Sequence, residues 1–333
     1  MQMKRDLTPD VLRGFALLGI LVVNIQLMAR GAGALDNEAQ DLANGSATFI
    51  IATIFTGKFY LIFSFLFGYS SNYVIKGDRS NRARWVKRCL ALMVLGVLHI
   101  SYLWHGDILF MYGILGLLLI PFFFRADKTV KIWAYAVFLV TSAILLFEPI
   151  ALNVLQGGFA FAAFLLGLRM ARTQFLSSPI DVNQNSKLIK RGLLLGAPIQ
   201  ILAALALVQN EQSADPSEGV YLFALTVSFI AAPLLSMFFV GVIRKLVEEK
   251  PNSVSWMKPA GQMSLTVYIS QSVITSMIFG PWGLGLFQDL QTWQVLILAF
   301  GIWALLVYLS TIWLKKYKQG PLEKLVHSVT KDR

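Results

Sequence analysis

Charged residues are scarce in this chain, and that scarcity limits its class before any motif is considered. Asp, Glu, Lys and Arg make up 14% of its 333 residues, whereas hydrophobic residues make up 56%. Soluble domains carry about 25% charged residues. Apolar runs of about 20 residues, the length that crosses a lipid hydrocarbon core, recur along the whole sequence. The composition therefore excludes a soluble enzyme and predicts an all-α, polytopic integral membrane protein.

Cysteine and histidine are also rare, which argues against a disulfide framework and against a metal centre. The single cysteine, Cys89, cannot form an internal disulfide. The three histidines and this cysteine lie too far apart to make a zinc motif. The sequence has neither a glycine-rich phosphate loop nor a serine nucleophile elbow. We therefore expect no metal, and we expect His327, near the C-terminus, to be solvated.

The apolar runs predict ten membrane spans. Their approximate bounds are 11–29, 47–74, 89–105, 108–124, 132–148, 155–171, 192–209, 219–243, 262–281 and 294–314. With the N-terminus inside, every Lys and Arg except Arg30 and Lys58 falls on the inner side, as the positive-inside rule requires. Both termini are therefore predicted to be cytoplasmic. The net charge of +11 then reflects topology and contact with anionic membrane lipids, and no nucleic-acid partner is expected.

We take the polar inner loop after residue 172 as the link between two five-helix halves, although six of the ten predicted spans precede it and four follow it. We therefore expect a single integral membrane domain over 1–333, with a first five-helix half at 1–172 and a second at 188–333. Because five is an odd number, a repeat between the halves would be inverted, as in many transporters. The two halves show no convincing sequence match.

Three polar residues share one face of the first span. Asp10 and Arg13 are three residues apart near its inner end, and Asn24 lies eleven residues, or about 16 Å, beyond Arg13. An ion pair at the membrane surface and an asparagine bonded to a neighbouring helix would explain them without any function. Their common face also fits a functional site.

Polar residues also interrupt the second and ninth spans. Lys58 lies about 11 residues inside the second run, so either a helix ends near residue 55 or this lysine faces a water-filled cavity. In the ninth span, "GQMSLTVYISQS" brings Tyr268 and Gln271 into an apolar stretch. We take Lys58, Tyr268 and Gln271 as candidate substrate-binding residues.

The segment "GVLHISYLWHGDIL" places ionisable groups at membrane depth, where they are costly and usually functional. His99 falls near the middle of the third span, and Asp107 belongs to a "WHGD" turn that Gly106 allows to bend. The alternatives are a packed histidine bonded to a neighbouring helix and an aspartate that only caps the fourth span. For His99 we favour a functional base or proton carrier.

Several stretches together resemble one family. They are "LRGFALLGILVVNI", "GKFYLIFSFLFGYS", "LGVLHISYLWHGDILFMYGILGLLL", "GQMSLTVYISQS", "GPWGLGLF" and "GPLEKL". From the first span to the C-terminal tail, the chain resembles the YeiB family of bacterial inner-membrane proteins, a domain of unknown function. The resemblance implies a multi-pass protein of the bacterial cytoplasmic (inner) membrane.

That family is similar to a wider group of transmembrane acyltransferases, which includes heparan-alpha-glucosaminide N-acetyltransferase. Such enzymes move an acyl group from cytosolic acyl-CoA to an acceptor across the membrane. The O-acetylating members carry a histidine eleven residues after the arginine of "LRG", where this sequence has Asn24. The heparan enzyme has an asparagine there and a histidine in the next loop. Here the loop at 30–46 has no histidine, which leaves His99 as the candidate base.

The resemblance implies roles for the polar residues. His99 would act as general base, Asn24 would hold the thioester oxygen, and Asp107 would orient His99 or bind the acceptor. The phosphates of the acyl-CoA donor would lie against basic residues of the inner side, namely Arg13, Arg82, Arg84, Lys87 and Arg88. The acceptor would be a small molecule or a glycan, and the oligomeric state is left open.

Two other functions remain open at this point. A transporter or proton-coupled permease for a small solute is one, because His99, Lys58 and Asp107 also suit an ion path. A non-catalytic sensor or accessory subunit is the other.

Overall fold

The structure, a computed structural model, describes residues 6–31, 41–149 and 152–330, with the backbone alone described at 152–154. Within these ranges all regular structure is helical. The helices of the first part are α1 (Leu7–Arg30), α2 (Leu42–Ile50), α3 (Lys58–Ile75), α4 (Arg82–Tyr102), α5 (Leu109–Leu118), α6 (Asp127–Phe147) and α7 (Leu152–Arg172). A π-helical segment, Ile51–Phe55, continues α2, and short 3-10 turns lie at Arg79–Asn81 and Ile120–Phe122.

The second part is helical as well. Its elements are α8 (Val182–Arg191), a π-helical segment at Gly192–Gly196, α9 (Ala197–Glu211), α10 (Glu218–Glu249), α11 (Pro251–Val254), α12 (Lys258–Gln262), α13 (Ser264–Phe279), α14 (Thr292–Lys316) and α15 (Pro321–Thr330). A 3-10 turn at Ser255–Met257 joins α11 to α12. The prediction of an all-α chain is confirmed for the described residues.

Several helices suit a membrane. Among the described residues, seven helical stretches are long and apolar enough to cross one: Leu7–Arg30, Leu42–Ile75, Arg79–Tyr102, Asp127–Phe147, Val182–Glu211, Glu218–Glu249 and Thr292–Lys316. Two shorter apolar helices, Leu109–Phe122 and Ser264–Phe279, coincide with the fourth and ninth predicted spans. The helix α7 coincides with the sixth. These lengths and compositions are those of a membrane protein.

Two predicted spans are interrupted at points where the sequence has glycine or proline. In the span at 47–74 the helix ends at Phe55, and Gly57 takes a φ of +81°, which glycine adopts without a steric penalty, before α3 begins. In the span at 192–209 the helix widens into a π-helical segment just before Pro198, whose ring disturbs regular α-helical bonding. Of the two alternatives for Lys58, the structure adopts the helix end near residue 55.

The first helix lies at the centre of the packing. It contacts α3 from the first half and α12, α13 and α14 from the second. The indole N–H of Trp303 donates to the carbonyl of Gly14 at 3.1 Å, and the amide of Gln271 donates to the carbonyl of Leu17 at 3.1 Å. A Cβ on Gly261 would lie 1.7 Å from the Asp10 carbonyl oxygen, so α12 can approach α1 this closely only with glycine at that position. Through these contacts α1 joins the two halves.

The helices α3 and α7 approach each other closely through two glycines. A Cβ on Gly68 would lie 2.1 Å from the carbonyl oxygen of Phe164, and a Cβ on Gly167 would lie 2.0 Å from that of Phe65. Small residues at such crossings let membrane helices bring their backbones into contact. This close contact fixes the position of α3, which forms one wall of the cavity described below.

Replacing Gly167 by alanine tests this packing. The added methyl group would overlap the Phe65 carbonyl, so Gly167→Ala is expected to lower the free energy of unfolding by about 1–3 kcal/mol. Gly301→Ala in α14 is the matched control, because a Cβ there meets nothing within 4 Å and alanine favours a helix. Thermal unfolding of the detergent-purified variants measures both. Equal stability of the two variants would contradict the packing account.

Candidate functional site

The structure brings His99 and Asp107 together. The connection from α4 to α5 bends back, so the Nδ1 atom of His99 lies 3.2 Å from the Oδ1 atom of Asp107. The two side chains are 1% and 0% exposed. The other carboxylate oxygen, Oδ2, accepts a hydrogen bond of 2.7 Å from the N–H of Phe110 in the first turn of α5. One oxygen of Asp107 therefore caps α5, as the capping alternative predicts, and the other oxygen faces His99.

Glycines make this bend feasible. A Cβ on Gly96, one turn before His99, would lie 2.4 Å from the backbone nitrogen of Phe110 and 2.8 Å from Oδ2 of Asp107. The absence of a side chain at Gly96 thus lets the start of α5 rest on α4. Gly106 in turn carries the indole of Trp104, whose nearest atom would lie 2.1 Å from a Cβ there. A side chain at either glycine would therefore collide with the loop between α4 and α5.

Hydrogen bonds hold the loop in this form. The N–H groups of Leu103 and Trp104 both donate to the carbonyl oxygen of His99, at 2.9 and 3.0 Å. The hydroxyl of Ser276 in α13 donates to the carbonyl of Leu103 at 3.1 Å. The helix α13 therefore holds the loop from outside α4 and α5, which keeps the His99–Asp107 pair in place.

Tyr268 covers the histidine. Its ring is stacked on the imidazole of His99, with centroids 5.5 Å apart and an interplanar angle of 27°. The hydroxyl of Tyr268 accepts a hydrogen bond of 3.3 Å from the N–H of Ile108. Both ring nitrogens of His99 are buried and make no hydrogen bond to the described residues; Nδ1 lies at ion-pair distance from Asp107, and Nε2 lacks even such a contact. A buried imidazole nitrogen without a partner is a feature that calls for an explanation, such as a catalytic role.

A large cavity lies between the N-terminal ends of α1 and α4, the C-terminal end of α3, and α13 and α15. Its volume is about 1300 Å³, above the roughly 300–1,000 Å³ of ordinary small-molecule pockets. The basic side chains in its lining are Arg13, Lys76, Arg84, Arg88, Lys318 and His327. We call it the basic cavity. Its acidic side chains are Asp6, Asp10 and Glu323, fewer than the basic ones. Because the cavity is large, carries an excess of positive charge and also has apolar groups, it suits a long anionic ligand.

The basic cavity extends along α4 toward the His99–Asp107 pair. Arg84, Arg88 and Leu92 lie on successive turns of that helix, so the lining follows it for about 12 Å. At the far end the lining includes Leu109 and Tyr268. His99 itself does not line the cavity, and the ring of Tyr268 contacts both.

The five residues predicted to hold phosphates divide into two groups. Arg13, Arg84 and Arg88 line the basic cavity, and Arg13 also bonds Asp10 at 2.9 Å. Arg82 and Lys87 do not line it. The guanidinium of Arg82 instead lies 4.9 Å from the ring centroid of Phe124.

Three other predicted site residues lie apart from the pair. Asn24 is half-buried on α1 and does not line the basic cavity. The amide of Gln271 is used to bond α1, as described above. Lys58 is fully buried at the start of α3 and contacts groups of the π-helical segment and α10. The structure thus joins His99, Asp107 and Tyr268, and leaves Asn24, Gln271 and Lys58 elsewhere.

The sequence interpretation missed contributions from the C-terminal helix. The carboxylate of Glu323 in α15 accepts hydrogen bonds from the N–H of Leu265, at 2.7 Å, and from the hydroxyl of Thr266, at 2.6 Å. It thereby joins α15 to the first turn of α13. His327, expected to be solvated, is half-buried and lines the basic cavity. No local pattern signals these contacts, because the partners are 57–58 residues apart.

Among the described residues, no group of three or more His, Cys, Asp or Glu side chains could hold a metal ion. The arrangement instead consists of the basic cavity, the ring of Tyr268 and the buried imidazole of His99 beside the Asp107 carboxylate. Chemically, such a set can bind an anionic ligand and can accept a proton at its inner end.

Comparison with known proteins places the chain among relatives without an assigned activity. Residues 170–332 match the family model "Protein of unknown function (DUF418)". The chain is 25% identical to the Bacillus subtilis "Uncharacterized protein YxaH", with 96% of this chain and 93% of that protein covered. It is 29% identical to an uncharacterized 39.9 kDa protein of Bacillus acidopullulyticus from the amylase 3' region, with 98% and 94% covered.

The Escherichia coli "Uncharacterized protein YeiB" is similar as well. It is 24% identical to this chain, with 98% of this chain and 97% of that protein covered. No solved structure matches. The predicted resemblance to YeiB is therefore confirmed.

Substitutions of Asp107 separate its two contacts. Asp107→Ala removes the oxygen that caps α5 and is expected to lower the free energy of unfolding by about 1 kcal/mol. Asp107→Asn keeps an oxygen acceptor for the Phe110 N–H, so it is expected to lose much less. Thermal unfolding in detergent measures the difference. If both variants lose the same stability, the cap seen at Phe110 does not contribute.

Proposed function

We propose that this chain, a member of the YeiB-like DUF418 family, is a transmembrane acyltransferase that takes an acyl group from acyl-CoA. In this proposal it crosses the bacterial cytoplasmic membrane ten times, with both termini in the cytoplasm. The donor enters the basic cavity from the cytoplasmic side. The acceptor, a small molecule or a glycan, reaches the His99–Asp107 pair from the opposite side.

One observation carries the proposal: the basic cavity ends at the ring that covers His99. Arg13, Arg84 and Arg88 line the cavity, and the planar guanidinium group suits bidentate bonds to phosphate. Toward the pair the lining becomes apolar and aromatic, with Leu92, Leu109 and other such residues. A donor with phosphates at one end and an acyl thioester at the other matches this order of groups.

The chemistry follows from the geometry of the pair. With a proton on Nδ1 facing Asp107, the lone pair of His99 lies on Nε2, which has no competing partner among the described groups. Nε2 can then take the proton of an acceptor hydroxyl or amine while that atom attacks the thioester carbonyl. A new C–O or C–N bond forms, the C–S bond breaks, and the protonated His99 returns the proton to the leaving CoA sulfur. Asp107 stabilises the imidazolium in between.

Tyr268 sets a condition on this reaction. Tyr268 lines the basic cavity and its ring is stacked on His99, so in this proposal a thioester in the cavity reaches Nε2 after the ring has turned aside. The hydroxyl holds the N–H of Ile108 at 3.3 Å, a long bond that costs little to release. The oxyanion role that the resemblance implies for Asn24 gains no support, because Asn24 does not line the cavity.

A permease for a small solute is the second candidate, and the interrupted helices favour it. The break at Gly57 lies in the second predicted span, and the π-helical segment Gly192–Gly196 lies in the seventh, which is the first span of the half at 188–333. Discontinuous membrane helices form the binding sites of many transporters.

Binding of a CoA donor tests the first candidate directly. Free CoA and acetyl-CoA are expected to raise the unfolding temperature of the detergent-purified protein, since a ligand at 100 times its Kd adds about 2.7 kcal/mol. The double variant Arg84→Ala/Arg88→Ala is expected to abolish the shift. Lys87→Ala, on the same helix but outside the cavity lining, is the matched control and should keep it. The absence of any shift with either compound would rule out this proposal.

Loss of the base tests the second half of the site. His99→Gln is expected to reduce transfer of a radiolabelled acetyl group to membrane or soluble acceptors at least about a hundredfold, the usual contribution of a general base. It should keep the thermal shift with CoA. His105→Gln, an exposed histidine of the same loop, serves as control and should keep both. Transfer by His99→Gln at the unchanged rate would remove His99 from the mechanism.

A further inference from the structure

A second buried polar cluster surrounds Lys58, outside the lining of the basic cavity. The side chain of Lys58 is 0% exposed. Its Nζ atom donates to the carbonyl oxygen of Ala52 at 2.7 Å and lies 3.5 Å from the hydroxyl oxygen of Ser228. No carboxylate lies within ion-pair distance of Nζ among the residues that the structure describes. Lys58 is thus a buried amine with neutral oxygen partners.

The cluster lies where the two interrupted helices meet. Lys58 begins α3 directly after the break at Gly57, and α9, which follows the second π-helical segment, packs against the π-helical segment Ile51–Phe55. Gln200 of α9 is fully buried there. Its amide donates to the carbonyl of Ser228 at 2.8 Å. Broken helices that meet at one point expose backbone carbonyls that coordinate cations in ion-coupled proteins.

The hydrogen bonds around Ser228 orient the cluster toward a cation. The Ser228 hydroxyl donates its proton to the side-chain oxygen of Gln200 at 2.8 Å, so its lone pairs remain for Lys58. The Ala52 carbonyl belongs to the C-terminal end of α2 and its π-helical continuation, which is the negative end of the helix dipole. Both groups that face Nζ are therefore acceptors, and they favour the ammonium form.

Among the described residues, no charged side chain compensates that ammonium. On α9 the charged residue is Glu211, eleven residues or about 16 Å beyond Gln200 along the helix. On α10 the charged residue toward the N-terminus is Glu218, ten residues before Ser228. On α1 the acidic residue is Asp10, which pairs with Arg13 and makes no ion pair with Lys58. Burying an ammonium without a counter-charge costs free energy. Here two neutral oxygen atoms alone stabilise the protonated form.

We propose that Lys58 is a proton-binding site that joins the two interrupted helices. With the proton bound, the Nζ–H groups hold the Ala52 carbonyl and approach Ser228, which closes the junction between the π-helical segment and α3. When one Nζ–H bond breaks, the proton passes to water and the neutral amine releases the carbonyl. The junction then opens. This site is separate from the His99–Asp107 pair and does not depend on acyl transfer.

Hydrogen–deuterium exchange of the full chain in detergent tests the proposal. Peptides that cover residues 50–58 are followed from about pH 6 to about pH 10, and each rate is divided into the intrinsic rate at that pH to give a protection factor. In the wild type the protection factor is expected to fall as the pH rises. Lys58→Met, which cannot bind the proton, is expected to show low protection at every pH. Lys128→Met, an exposed lysine of α6, is the control and should follow the wild type.

A second variant keeps the test decisive if Lys58→Met does not fold. Ser228→Ala removes one acceptor of the ammonium, so the fall in protection is expected at lower pH than in the wild type. A wild-type protection factor that stays constant over the whole range would overturn the proposal. So would an unchanged transition in Lys58→Met or in Ser228→Ala. None of these outcomes bears on the thermal shift with CoA, so the two proposals succeed or fail separately.

Discussion

The contact of α5 with α4 at Gly96 is the constraint on which the candidate site depends. Because Gly96 has no side chain, the first turn of α5 rests on the α4 backbone. Asp107 thereby reaches His99, which lies one helical turn after Gly96 on α4. A continuous helix would hold the two side chains about 12 Å apart along its axis. The same carboxylate caps α5, so helix initiation and the orientation of His99 use a single residue. The pair is therefore a product of the turn and of the glycine beneath it.

The basic cavity and the His99–Asp107 pair are two parts of one arrangement, separated by a single aromatic ring. The cavity supplies guanidinium groups at one end, and Tyr268 closes the other. Next to that ring, neither ring nitrogen of His99 has a hydrogen-bond partner in the described part of the chain, and Nδ1 alone contacts Asp107. In the proposed function, the ring keeps the base away from water until a donor displaces it.

The elements of the fold could be predicted from the sequence, and the contacts between them could not. Apolar runs predicted the long apolar helices, and the "WHGD" turn correctly indicated a bend, whereas α8, α11 and α15 lie outside the ten predicted spans. Arg84 and Arg88 are four residues apart, so they lie on the same face of α4, and that face lines the basic cavity. Lys87 lies on a different face. By contrast, the approach of α5 to Gly96 depends on tertiary packing, and Glu323 reaches α13 across 58 residues. Such contacts leave no local pattern.

The second buried group, Lys58, follows the same logic in a different place. A glycine break creates a free carbonyl, and the next side chain in the sequence supplies the donor. At both places the structure has a buried polar side chain beside an interruption of the helical backbone. Asp107 accepts a hydrogen bond from the first turn of α5, and Lys58 donates one to the Ala52 carbonyl. Each side chain thus satisfies a backbone group beside a helix end.

The most direct test is a cryo-electron microscopy structure of the protein with a non-hydrolysable thioether analogue of acetyl-CoA. The account predicts that the analogue fills the basic cavity, with its phosphates beside Arg84 and Arg88. It also predicts the thioether next to His99, with the Tyr268 ring turned away from the imidazole. An analogue bound elsewhere, or one in the cavity whose thioether points away from an unmoved Tyr268, would contradict the claim that the cavity and the pair form one site.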